Sequence, residues 1–404
     1  MQFKHLNIFR FNFLQLVVLS MPLLIVNVKH ASELVILFLT IFGVYFSIRE
    51  RKLPFFHDQL KVYSYLVLAF FFSIVISVIL SNNPIQGIHR IGSNIHFLVA
   101  PFVAYGIYKS NVDLKHIVFA IKLSIIVATV YAIYVHSAGR LEVNADSPTL
   151  YGFIMVLFGF MIIIDVWTQS KKEKLFSIFI FFLAMYSVVL SGTRIAWVMF
   201  VVLFFSAMLI WSIRGHLTKK SLLLILIALA VVTAFSMNNK SFSHRIDVAF
   251  QEIKNYSVDS DSNGSVDLRL SMWSGGLTAF KQQPIIGYGY HNTGLEASRH
   301  VSGPYAKGFI KGQKMLHNDY VNSLVGFGIL GLLALMALLF LPLTLFFKQL
   351  KADKECARSA IGVLFIIALS VFAITDSIYS HSVMRSFFVF FLGVLLPVAR
   401  KEYV

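Results

Sequence analysis

The sequence predicts an all-α, polytopic membrane protein with about twelve transmembrane helices and one large polar loop. Three observations carry that prediction. Hydrophobic residues make up 57% of the 404 and charged ones only 13%, about half the charged share of a soluble domain. Forty phenylalanines exceed what a water-solvated core needs. Apolar runs able to cross about 30 Å of hydrocarbon recur along nearly the whole chain, at residues 11–28, 32–48, 63–80, 94–108, 117–136, 149–167, 175–190, 194–213, 221–236, 319–347, 358–375 and 384–399.

Basic residues set the direction of these runs. The net charge of +16 does not read as a nucleic-acid footprint, because most Lys and Arg fall in short clusters between apolar runs, the arrangement that encodes membrane topology. Lys4 and Arg10 precede the first run and no small-residue cleavage site follows it, so it reads as a span with its N-terminus inside. Cytoplasmic loops then carry Arg49, Arg51, Lys52 and Lys61; Lys109 and Lys115; Lys171, Lys172 and Lys174; Arg214, Lys219 and Lys220; Lys348, Lys351, Lys354 and Arg358. Arg400 and Lys401 close the chain on the same side. The short outer connections hold only Lys29, Arg90, Arg140 and Arg194, with Arg385 opening the last span. Both termini are thus expected in the cytoplasm. The single Cys356 excludes an intramolecular disulfide and cannot alone form a thiolate metal site.

Residues 1–236 hold the first nine spans, 237–318 a large outer loop and 319–404 the last three. Within the loop, Ile246, Ala249, Phe250 and Ile253 recur at helical spacing and predict an amphipathic helix. A polar stretch follows at 257–267. A second helix is expected from about Leu268, with Arg269, Trp273, Gly276 and Phe280 on one face. Gln283-Pro284 ends it, and Gly287-Tyr288-Gly289 reads as a turn. Long ordered loops in compact proteins are usually functional, so the chemistry is expected here, on the outer side.

Arg194 closes Ser191-Gly192-Thr193-Arg194, a connection too short to be anything but a tight turn between two spans. A guanidinium at that boundary suits bidentate phosphate binding on a lipid-linked anion; an arginine snorkelling to ordinary headgroups has the same position. Arg269 and Trp273, one helical turn apart, present a charge beside an aromatic plane that a sugar face can stack on, or a tryptophan packed into the protein. Arg245, Arg299, Lys307, Lys311 and Lys314 add positive character that draws in a diphosphate or contacts anionic lipid. His317 begins His317-Asn318-Asp319-Tyr320 where the loop re-enters the membrane. Neighbouring cations favour a neutral imidazole, the form a general base needs; an interfacial histidine bonded to backbone is the plainer alternative.

Asp259-Ser260-Asp261-Ser262-Asn263-Gly264, with Asp267 following, matches the first half of a calcium loop, but Leu270 stands where the bidentate Glu belongs. A solvated Ser-rich linker has this composition too, and no metal is expected. There is no Walker sequence or dinucleotide loop, so neither nucleotide nor cofactor is expected. Charged residues at mid-span, the mark of ion-coupled carriers, are sparse; Lys122 and Asp165 lie near cytoplasmic span ends.

Taken in order, Ser191-Gly-Thr-Arg194, Arg269-Leu-Ser-Met-Trp273, Pro284-Ile-Ile-Gly287-Tyr-Gly289, His317-Asn318-Asp319-Tyr320 and Gly326-Phe-Gly328-Ile-Leu-Gly331 resemble the O-antigen ligase and polymerase superfamily. The resemblance is strongest over residues 185–335 and covers the first half mainly in topology. It implies a GT-C-like fold and an inverting, metal-independent transfer. The implied donor is a glycan on undecaprenyl diphosphate and, for ligases, the implied acceptor is a sugar hydroxyl of lipid A–core, at the periplasmic face of the inner membrane. Carried onto this chain, it implies that Arg194 and Arg269 grip the diphosphate. On the same resemblance His317 serves as base or orients the acceptor; Trp273, Asn318, Tyr320 and Arg245 are further candidate substrate contacts. Membrane lipids are the remaining partners. A single large outer loop fits a ligase better than a polymerase, for which the resemblance implies two. A transporter or flippase with a lid-like loop stands as a different class.

Overall fold

A computed structural model describes residues 11–136, 147–218 and 264–396, with isolated helical positions at 247, 251 and 254. The described residues are helical, with no strand among them. In chain order the helices are α1 (Phe13–Asn27), α2 (Ala31–Glu50), α3 (Lys61–Ile79), α4 (Pro84–Ser93), α5 (Ile95–Ser110), α6 (Leu114–His136), α7 (Pro148–Ile163), α8 (Lys171–Ser191) and α9 (Arg194–Arg214). After the loop segment come α10 (Ser265–Gln282), α11 (Thr293–Ser298), α12 (Pro304–Lys311), α13 (Asp319–Ala352), α14 (Ala357–Thr375) and α15 (Ser382–Leu395).

Nine of the described helical stretches are long and apolar enough to cross a membrane, with α4 and α5 counted together; α1 and α15 are apolar but shorter. Each expected span among the described residues is a helix. The expected span at 221–236, Arg245, the apolar residues Ile246, Ala249, Phe250 and Ile253 of the expected amphipathic helix, and the Asp259–Asn263 segment lie outside the described residues, while Asp247, Gln251 and Lys254 are helical. One element departs from expectation: residues 84–93, read as outer connection, form the separate amphipathic helix α4.

The core explains the phenylalanines. Every residue of α7 from Leu150 to Ile163 is buried, as befits a helix apolar all round. It packs against α8, α9 and α14, while α15 packs against α5. Phe153, Phe158, Phe365, Phe387 and Phe391 interlock between α7, α14 and α15, with Phe153 and Phe372 centroids 4.5 Å apart. Backbones meet where side chains vanish: a Cβ on Gly43 would lie 1.9 Å from the Phe102 carbonyl oxygen, so α2 and α5 touch directly. Large apolar side chains such as Phe179, Phe205 and Leu333 stand exposed on the bundle surface, where hydrocarbon is the solvent.

Helix α13 is broken at Gly328, whose φ of 67° and ψ of −161° interrupt the spiral. A break inside a span frees backbone groups that must find partners. Here the segment 284–289 supplies them: Tyr288 N donates to Val325 O at 2.8 Å, Gly289 N to Gly326 O at 2.9 Å, and Ile329 N to Pro284 O at 2.8 Å. Two glycine motifs thereby explain each other. A Cβ on Gly328 would fall 2.2 Å from the Ile285 carbonyl oxygen, and one on Gly287, itself at φ 72°, 2.6 Å from that of Val325. The stretch read as a turn keeps turn and bend geometry and is docked by its backbone into a broken helix.

The connections sort into two ends. At one, the α8–α9 turn packs on the start of α7, the 290 segment meets α4, and the α14–α15 loop meets the start of α13. At the other, Lys109 pairs with Glu50 at 2.6 Å and Arg214 with Asp165 at 2.8 Å. The first is the site end.

Candidate active site

Ser191-Gly192-Thr193-Arg194 is built to turn the chain in the fewest residues. Gly192 ends α8 at φ 60°, the left-handed region glycine enters without penalty. Ser191 Oγ donates to Val188 O and meets Thr193 Oγ1 at 3.1 Å. A Cβ on Gly152 of α7 would lie 2.5 Å from Thr193 Oγ1, so the turn is seated on the central helix. Arg194 is the first residue of α9, half-buried.

His317 is held from both sides. Immediately before it, Leu316 N donates to Asn322 Oδ1 at 3.3 Å, and Leu316 O accepts from Trp273 Nε1 at 3.0 Å. Immediately after it, Asn318 Oδ1 caps α13 by accepting from Tyr320 N at 3.0 Å and Val321 N at 3.1 Å. A cap of this kind is worth about 1 kcal/mol. Between these anchors His317 adopts φ 48°, a conformation uncommon outside glycine and found where surrounding structure dictates it. The imidazole is presented, not left to find its own place.

Asp319 fixes what faces it. Its buried carboxylate accepts from Ser377 Oγ and from Ile378 N at 2.7 Å, binding the α14–α15 loop to the head of α13. Tyr379 OH in the same loop accepts from Asn322 Nδ2 at 3.0 Å. The loop so held carries Asp376, whose Oδ1 accepts from Ser377 N at 2.9 Å and lies 3.1 Å from His381 Nε2 and 3.5 Å from His317 Nδ1. The His317 contact is an electrostatic approach rather than a closed hydrogen bond. Burial alone favours the neutral acid, but His317 and His381 together outweigh it and hold the Asp376 carboxyl well below the usual carboxylate range.

Arg269 joins this group from α10. Burial lowers its pKa, the Arg194 guanidinium lowers it further and the Asp376 carboxylate opposes both, so the three charges share one electrostatic neighbourhood. Among the described residues neither arginine makes a hydrogen bond or an ion pair. Asp376 is the one carboxylate that acts on this pair of half-buried guanidiniums, so two positive charges meet a single negative one and a further anion beside them would be favoured.

The other expected site residues divide. Trp273 N–H, Asn318 Oδ1 and Tyr320 OH, the last donating to Ser370 O at 2.9 Å, are committed to holding the site together. Arg245 lies outside the described residues. Arg299 is paired with Glu296 at 2.8 Å, while Lys307 and Lys311 stand exposed on α12. Asp376 and His381 were not singled out in the sequence. The signal was an acid and a histidine together in a six-residue connection on the same side as His317. The expectation of cations alone around His317 is also corrected, because Asp376 stands beside it.

With this geometry in view, the comparisons with known proteins fall into place. The O-antigen ligase family model matches residues 178–336, a stretch that holds Arg194, Arg269 and His317 and stops short of Asp376. Over that stretch the chain resembles the O-antigen ligase family. It is also 26% identical over 364 residues to an uncharacterized protein of Haemophilus influenzae (strain ATCC 51907 / DSM 11121 / KW20 / Rd), covering 84% of this chain and 86% of that one.

Proposed function

We propose that the protein is an O-antigen ligase of the inner membrane, its site end facing the periplasm and both termini in the cytoplasm. It moves a glycan from undecaprenyl diphosphate to a sugar hydroxyl of lipid A–core. One observation carries this reading: two guanidiniums without a hydrogen bond or ion pair share a neighbourhood with a single carboxylate, which lies 3.5 Å from a clamped histidine.

The chemistry follows from that arrangement. With His317 Nδ1 turned toward Asp376, its proton resides there and Nε2 presents a lone pair to the acceptor hydroxyl. Nε2 takes the hydroxyl proton as the acceptor oxygen bonds to the anomeric carbon. The bond from that carbon to the diphosphate breaks on the opposite face, so configuration inverts. Arg194 and Arg269 receive the charge that develops on the leaving diphosphate, a preorganised electrostatic role that a divalent cation fills elsewhere. Asp376 stabilises the imidazolium formed on His317.

The test is the lipopolysaccharide gel profile of a strain lacking the gene. A ligase predicts smooth lipopolysaccharide replaced by bare core, with long glycan accumulating on undecaprenyl diphosphate. A core carrying one repeat instead would mean a polymerase, and an unchanged ladder would overturn the proposal.

A further inference from the structure

A ligase joins two anionic lipids, yet Arg194 and Arg269 account for one. The remaining polar side chains at the site end gather around α4. Arg90 places its guanidinium 5.0 Å from the centre of the Tyr290 ring, and among the described residues no carboxylate pairs with it. Two buried atoms here have no hydrogen-bond partner, Arg90 Nε and Asn94 Oδ1. Each such atom costs stability, and native proteins keep them few. His291 is wedged where a Cβ on Gly87 would lie 2.8 Å from its Nδ1, so the helix sits directly on the imidazole ring. Arg385 adds a second guanidinium, one nitrogen of which donates to Tyr379 O at 2.8 Å.

This cluster and the active site touch the same loop from its two ends. Asp376 opens the loop beside His317. Ser380 closes it on the hydroxyl of Tyr290, the ring beneath Arg90. Ile85 and Ile88 stand exposed on α4, so the short helix lies where apolar tails and polar heads of lipids part.

We propose that the junction of α4 and α5, with Tyr290, His291 and Arg385, is a second anion-binding subsite that takes the phosphoryl group of a membrane-anchored amphiphile. Arg90 is its principal charge, placed across the α14–α15 loop from the donor's diphosphate. Naming that amphiphile the acceptor glycolipid rests on the ligase reading; the subsite itself does not.

The experiment is native mass spectrometry of the full chain in neutral detergent, with four probes: bisphosphorylated lipid A, the same lipid without phosphates, phosphatidylglycerol and a polyprenyl diphosphate. Lipid A should be retained more tightly than its dephosphorylated form. Arg90→Gln should weaken lipid A retention by roughly tenfold, the worth of a charge-assisted hydrogen bond, and leave polyprenyl diphosphate unaffected. Arg194→Gln should do the reverse. Preference for lipid A over phosphatidylglycerol assigns the subsite to the acceptor, and equal retention assigns the same subsite to bilayer lipid. Arg90→Lys, which keeps a cation over Tyr290 and loses only the planar fork, is measured in parallel with the melting temperature of each variant. Wild-type retention of lipid A by both variants, or loss of both ligands together in a protein that melts normally, overturns the proposal. The readout needs no transfer, so failure of the ligase reading leaves it decidable.

Discussion

The two ends of the bundle treat buried charge in opposite ways. At the end away from the site, the Arg214 side chain is wholly buried and fully answered: Asp165 at 2.8 Å, Lys354 O at 2.7 Å and Glu355 O at 3.1 Å. These contacts fasten the ends of α7 and α9 to the α13–α14 connection. Lys109 is answered likewise by Glu50, which also accepts from Tyr105 OH at 2.7 Å. At the site end Arg194, Arg269 and Arg90 have no such partners among the described residues. A cation answered by the protein holds the fold; a cation left unanswered in a half-buried place is waiting for a ligand. The proposed division between structural and functional arginines rests on this contrast.

Substitutions break that contrast in order of size. His317→Ala should fold and insert normally yet lower transfer by roughly 10²- to 10⁴-fold, the usual range for removing acid–base help, measured as ligated product per unit of protein in the membrane. At the opposite end Arg214→Ala should cost about 3 kcal/mol, toward the low side for a broken buried pair because Asp165 keeps some exposure to water. Its signature is a lowered melting temperature with transfer per folded molecule unchanged. Arg194→Lys and Arg269→Lys keep charge but lose the planar fork, and should each fall by roughly ten- to a hundredfold in transfer. Full activity in both would leave only general electrostatics. Asp376→Asn, which preserves shape and removes the countercharge to His317, should reduce kcat with little change in KM, by less than the roughly 10⁴-fold seen where such an aspartate closes a hydrogen bond to the histidine. Because the Asp376 carboxyl is held below its ordinary range, its share of folding stability is present above about pH 4. That share is lost only as pH falls below the ordinary carboxylate range, so wild type and Asp376→Asn should diverge in melting temperature above that point and converge beneath it.

Much of this was legible in the sequence, and the reason is solvent. Hydrocarbon demands long apolar helices, so composition alone placed the described spans. Arg194 and His317 stood out because each borders an apolar run, and Arg269 because Trp273 follows it by one helical turn. The turn around Gly287 and Gly289 was legible, but its docking was not, because these glycines answer to Val325 and Gly326, partners far along the chain that periodicity cannot see. Asp376 was missed for a similar cause. It becomes part of the site only because Asp319, at the head of another helix, holds its loop in place. Helix α4 is too short and too polar to read as a span, although Ile85, Ile88 and Ile91 follow helical spacing.

The central claim is that arginines, not a cation, take up the leaving diphosphate while the glycan passes to lipid A–core. The direct measurement supplies purified protein with undecaprenyl-diphosphate-linked glycan and lipid A–core, in excess EDTA and without nucleotide. The account predicts a glycan ladder shifted onto lipid A–core at a rate unchanged by the chelator, and no shift with Arg194→Lys or His317→Ala. Activity abolished by EDTA and restored by calcium or magnesium, or glycan lengthened on undecaprenyl diphosphate with lipid A–core untouched, would contradict it.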